Sequence, residues 1–201
     1  MANLITSYPI YKNSIGILAL DSSSGVTGYA LSFIGNGQTL GSCQFYLSKF
    51  GTLAGPINAK IYAHTGTYGT TSKPTGAALA TSDNLTNLNT IPTYSSGELT
   101  DFSLRTFTFS GVNNIVLTNG TNYCLSIEDS VDGGADNIIF GYDFGFDFLY
   151  SGNMSKLTSG TWAVFNAATN DMFFYLYDNS TPYSSGTSGL STTTNITSIT
   201  H

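Results

Sequence analysis

The 201-residue chain is long enough for one domain with a substantial core and too short for two comfortable ones. Charged residues make up only 9%, so Ser, Thr, Asn and Gly must supply solubility. A mild net charge of −6, with six scattered cations (Lys12, Lys49, Lys60, Lys73, Arg105 and Lys156), leaves no basic stripe to track phosphates, which argues against nucleic-acid and anionic-membrane partners.

The N-terminus lacks a cationic start, and its longest apolar run, Ile15 to Leu20, is interrupted by Gly16. It is too short for the core of a cleavable secretory signal, and no apolar stretch approaches the ~20 residues of a membrane helix. The expectation is a chain that either lost a signal beforehand or leaves the cell by another route such as lysis, the second favoured by the opening Met-Ala-Asn. Residues 1–13 contain Tyr8, Pro9 and Tyr11 without alternation and read as an N-terminal arm.

Turn signals then recur between short alternating runs, which predicts an all-β fold, a jelly-roll-like antiparallel β-sandwich spanning 14–178. Candidate strands are 15–21, 26–34, 40–50, 57–64, 77–83, 102–110, 123–129, 137–143, 161–165 and 171–178. Asn36-Gly37 and Asn119-Gly120 mark tight turns, since both central residues tolerate positive φ. One apolar face is clear where Ile57, Ala59, Ile61 and Ala63 alternate with Asn58, Lys60, Tyr62 and His64. Phe107 and Phe109 alternate likewise with Thr106 and Thr108, and no helix-period segment competes.

Cys43 shares the apolar parity of Phe45 and Leu47, whereas Cys124 shares the parity of Ser126 and Glu128. Side chains on opposite faces cannot bridge, so both thiols are expected free.

From Phe140 to Tyr150 every even position is aromatic: Phe140, Tyr142, Phe144, Phe146, Phe148 and Tyr150. The stripe exceeds a typical strand. Phe144, Phe146, Phe148 and Tyr150 are therefore candidate partner contacts, the alternative being a longer strand whose rings close one end of the sandwich or pack under an arm. In the last strand Met172, Phe174 and Leu176 are assigned to the core, leaving Phe173, Tyr175 and Tyr177 outward with Tyr62 as an aromatic platform suited to sugar stacking. Glu128, Asp129, Asp132 and Asp136 crowd oxygen ligands around Gly133-Gly134, a candidate site for a structural calcium ion, though acid-rich solvated loops are commoner. Residues 179–201 hold 13 Ser or Thr in 23 positions and read as a C-terminal arm held by a neighbouring subunit.

The run Ile61-Tyr62-Ala63-His64-Thr65-Gly66-Thr67-Tyr68-Gly69 with Lys73-Pro74-Thr75-Gly76-Ala77-Ala78-Leu79-Ala80 resembles a β-sandwich family of tailed-phage structural proteins and of bacterial surface proteins of the choice-of-anchor type. The likeness continues through Phe107-Thr108-Phe109, Leu117-Thr118-Asn119-Gly120, Gly141-Tyr142-Asp143, Gly160-Thr161-Trp162 and Phe173-Phe174-Tyr175-Leu176-Tyr177, covering roughly 28–178. The resemblance implies a carbohydrate-binding-module-like domain used for display or attachment, without catalytic residues. In that family the stretch after Gly-Tyr-Asp is usually polar, whereas here it is Phe144-Gly145-Phe146-Asp147-Phe148.

The only histidines are His64 and His201, and neither a Gly-x-Ser-x-Gly elbow, a phosphate-cradling Gly-Lys-Ser/Thr loop nor a Cys-x-x-Cys pair occurs. The expectation is a non-enzymatic virion structural or surface protein, a capsid decoration, head-fibre or tail-associated subunit. It would contact other virion subunits, form homo-oligomers, and extend to host or surface-glycan attachment. The alternative is an extracellular carbohydrate-binding or adhesion module of a cell surface.

Overall fold

The computed structural model describes residues 2–9, 16–95, 99–144, 150–165 and 170–180. Thirteen strands fall within them: β1 (Leu4–Tyr8), β2 (Gly16–Leu20), β3 (Val26–Ile34), β4 (Leu40–Phe50), β5 (Ile57–Thr65), β6 (Lys73–Thr81), β7 (Ser103–Thr108), β8 (Asn122–Asp129), β9 (Asn137–Phe144), β10 (Met154–Thr158), β11 (Thr161–Val164), β12 (Asn170–Met172) and β13 (Phe174–Asp178). The only helices among the described residues are four single 3-10 turns, and none is long enough to cross a bilayer.

Two antiparallel sheets form the sandwich. The first runs β1-β13-β4-β9-β12, with β2 added on β9 and β7 on β4; the second runs β11-β10-β3-β8-β5-β6. From β2 onward the chain alternates between layers, returning to the first sheet at β4, β7, β9 and β12, in the crossing manner of a jelly roll. Each strand must therefore turn one face toward the opposite layer. Phe45 and Phe107 meet edge to face at 5.6 Å, Tyr29 meets Phe140 at 5.1 Å, and Phe33 stacks near Tyr123 at 5.7 Å. Phe33, Phe45, Phe107, Phe140 and Phe174 are all essentially sealed from solvent.

Ile57, Ala59 and Ile61 are fully buried, as the alternation requires, and Phe107 and Phe109 join them. Strand β6 begins earlier than the sequence suggests, at Lys73-Pro74, because an edge strand tolerates proline where no ladder donor is needed. Strand β10 was not anticipated. Its five residues are short and flanked by Gly152 and by a Ser159-Gly160 turn in which both residues take positive φ (48° and 77°).

Within the expected N-terminal arm, residues 4–8 form an edge strand. Leu4–Tyr8 pairs with β13, and Tyr8 is buried. The Asp178 carboxylate clamps the start of this strand, accepting from Asn3 N and Nδ2, Gln38 Nε2, and Ser180 N and Oγ. Burial opposes its charge, yet the Ser180 and Asn3 bonds hold the group down at about 2. Of the proposed C-terminal arm, residues 181–201 lie outside the described residues.

Cys43 sits in the main core, whereas Cys124 lies on the far side of the second sheet with Ala30 and Tyr62, covered in part by Trp162. Both are free thiols, on opposite faces as expected. Burial raises the Cys43 thiol and pushes Cys124 up to about 12. Iodoacetamide at pH 8 should therefore label neither cysteine in the native protein and both after denaturation without reductant, as read by intact mass; rapid native labelling would show that these interiors open readily.

Candidate functional site

Antiparallel register across β1, β13, β4 and β7 fixes what faces outward from the first sheet. Tyr177 stands opposite Leu4 and Ser42, and Ser42 opposite Thr108; Tyr175 stands opposite Ser7 and Gln44, and Gln44 opposite Thr106; Tyr46 pairs with Leu104. The intervening residues Cys43, Phe45, Phe107 and Leu176 point inward and are buried, so these ten side chains share the outer surface. No Asp, Glu, Lys, Arg or His is among them.

Tyr175 and Tyr177 lie nearly parallel, 6.3 Å apart with an interplanar angle of 13°, and Tyr46 tilts beside Tyr175 at 6.4 Å. All three are half-buried, while Leu4 and Leu104 are 49% and 40% exposed. Gln44 Nε2 donates to Thr106 Oγ1 at 2.8 Å, which holds its amide in place on the surface. Flat rings, two aliphatic side chains and neutral hydrogen-bonding groups form a patch suited to recognition.

The expected platform is therefore found in part. Phe173, between β12 and β13, is not open to a partner: it is buried, 2% exposed, with its ring stacked on Tyr8 at 5.8 Å. Met172, Phe174 and Leu176 keep the two-residue period and are all buried, and the Tyr8 ring of the N-terminal strand covers Phe173. Tyr62 belongs to the other sheet, against Trp162 at 6.0 Å, and Tyr46 takes the place assigned to it.

Tyr150 packs against the core, 5.5 Å from Phe174 and 6.1 Å from Tyr8, and its hydroxyl meets Thr6 Oγ1 at 3.2 Å. Phe140 and Tyr142, at the near end of the same stripe, also pack in or against the core. Phe146 and Phe148 lie outside the described residues, as does the side chain of Phe144.

The acidic loop is dispersed by strand parity. Glu128 points to the outer side of the second sheet, where it accepts from Lys60 Nζ at 2.6 Å, Tyr62 Oη at 2.8 Å and Ser126 Oγ at 2.7 Å. Asp129 points inward and is fully buried, and one of its oxygens accepts from the Val131 and Asp132 amides. Burial raises it to about 6, the two amides oppose that rise, and Asp132 adds to it. Asp132 accepts from the Ala54 and Gly55 amides, and Asp136 from Thr52, so both tie the loop before β5 to the loop before β9. The structure thus brings Asp129 and Asp132 together and keeps Glu128 away. No three His, Cys, Asp or Glu side chains among the described residues form a metal-binding group.

His64 Nε2 meets Ser72 Oγ at 2.8 Å, but Ser72 is 1% exposed and its backbone is held by Asn153, so the hydroxyl is closed to a substrate. Burial lowers the affinity of His64 for a proton.

No family model, curated protein or solved structure matches the chain.

Asp171 of β12 stands directly opposite Asp143 of β9 and accepts from the Tyr150 amide at 2.8 Å. Burial pushes its carboxyl up to about 7; the Tyr150 bond opposes that rise, and the charge of Asp143 adds to it. A group that holds its proton more tightly folded than unfolded favours the fold where it is protonated. This contribution is full below about pH 4 and lost as the pH rises through about 7. Asp171→Asn keeps an acceptor for Tyr150 and should flatten the fall in melting temperature between pH 4 and 7; an unchanged pH profile in calorimetry would contradict it.

Proposed function

We propose that this protein is a non-enzymatic structural subunit displayed on a virion surface, a capsid decoration, head-fibre or tail-associated protein. It works by contact through the outer face of the first sheet. The observation that carries the reading is that face itself: Tyr46, Tyr175 and Tyr177, flanked by Leu4 and Leu104, in a set of ten paired outward side chains with no charged member, in a chain of net charge −6. Like-charged subunits approach most cheaply where neither presents a charge, and tyrosine is among the residues that concentrate energy at interfaces. Homo-oligomers and neighbouring virion subunits are the partners this favours. The virion setting is supported by the likeness of the strand and turn motifs to phage structural sandwiches.

A second reading, an extracellular carbohydrate-binding or adhesion module of a cell surface, is favoured by the near-parallel tyrosines beside the Gln44 amide. Rings and neutral amides serve sugars as well as proteins.

Sedimentation and negative-stain imaging of the full chain test the proposal. The wild type should form defined oligomers or coat particles. The Tyr46→Ser/Tyr177→Ser double variant should lose that association, each ring costing about 2 kcal/mol at the interface, with little change in melting temperature. A wild type that stays monomeric and attaches to nothing would contradict the reading.

A further inference from the structure

Two hollows adjoin on the outer face of the first sheet, both including Ser42. One, of about 290 Å³, is lined by Ala2, Ser42, Gln44 and Tyr177. The other, of about 410 Å³, continues past Ser42 over Thr106, Thr108 and Asn114 toward Asn179. Both are shallow and open to solvent.

We infer that this trough is a binding site for a neutral oligosaccharide, with the Tyr177 ring as stacking wall and Ser42, Gln44, Thr106 and Thr108 as the polar ledge. The inference rests on the reading of this face as the recognition surface and names what it recognises.

The lining chemistry selects the class. Among the described residues no Lys, Arg or His lines either hollow to neutralise a phosphate, sulfate or carboxylate. The one carboxylate among their described lining residues, Asp178, already accepts from five donors on Asn3, Gln38 and Ser180, which fills its lone pairs and leaves little for a cation. What remains is a ring face beside neutral hydroxyls and amides. A pyranose is complementary to that arrangement, offering a C–H face to the ring and hydroxyls around its rim. The Gln44 amide and the Thr106 hydroxyl are already positioned by their mutual bond of 2.8 Å, and the Asn114 amide is fixed by donating to the Leu40 and Phe109 carbonyls at 2.9 and 2.6 Å. Polar groups held before the ligand arrives lower the ordering cost of binding.

The test is a broad glycan array followed by titration calorimetry of the full chain, with neutral oligosaccharides set against sialylated and sulfated counterparts. The inference expects at least one neutral oligosaccharide to bind, weakened about tenfold or more by Tyr177→Ala and little by Tyr177→Phe. Ser42→Trp, which fills the junction of the two hollows, should abolish binding. Circular dichroism melts would establish that the variants fold. Absence of any neutral ligand, preference for charged glycans, or binding indifferent to both Tyr177→Ala and Ser42→Trp would overturn it. If the Tyr46→Ser/Tyr177→Ser variant loses subunit association while no saccharide binds, the face is a recognition surface and only the saccharide assignment fails. If saccharides bind at the trough of a chain that never associates, the assignment holds and the structural-subunit proposal fails.

Discussion

The alternation of the chain between two layers is the constraint from which most of the molecule follows. Because β3, β5, β8 and β10 lie in one sheet and β4, β7, β9 and β13 in the other, each strand has one face committed to a shared interior. That interior is filled by rings such as Phe33, Phe45, Phe107, Phe140 and Phe174; the Tyr29–Phe140 contact joins the layers, while Phe45 and Phe107 meet within the first sheet. Burying a large aromatic side chain contributes roughly 1.5–3 kcal/mol, so a few such residues carry much of what holds the sheets together. The outer faces are then free to differ.

They differ in chemistry. On the second sheet, Ala30, Tyr62 and Cys124 form a small separate cluster, the edge strands β6 and β11 touch, and Glu128 is satisfied by Lys60, Tyr62 and Ser126. That face is occupied by its own side chains. The corresponding surface of the first sheet holds Tyr46, Tyr175 and Tyr177 half-buried among neutral groups, with two hollows beside them. The N-terminal strand contributes to it directly, since Leu4 and Ser7 extend the Tyr177 and Tyr175 rows, and the Asp178 clamp fixes that strand against β13.

Strand parity was the part of this arrangement most legible in the sequence. It placed Ile57, Ala59, Ile61, Phe107 and Cys43 inside, and it set Cys124 on the other face with Ser126 and Glu128. Parity does not show what another segment lays over a face. Phe173 is stacked under Tyr8, a contact 165 residues away in the chain that no local pattern announces. Tyr46 was overlooked because its neighbours Phe45 and Leu47 mark the strand as core, and only the pairing of β4 with β13 shows which tyrosines it joins. Clustered letters also misled at Glu128, Asp129, Asp132 and Asp136. Adjacent residues in a strand point to opposite faces, and the backbone amides of Thr52, Ala54 and Gly55 engage two of the carboxylates.

Hydroxyl-radical footprinting, read residue by residue on the isolated chain and on the chain bound to its partner, tests most directly whether the first sheet's outer face is where this protein acts. The account predicts that oxidation of Tyr46 and Tyr177 falls on binding while that of Trp162 and Tyr62, on the opposite sheet, does not change. Protection at Trp162 and Tyr62 with Tyr46 and Tyr177 still fully reactive would contradict it.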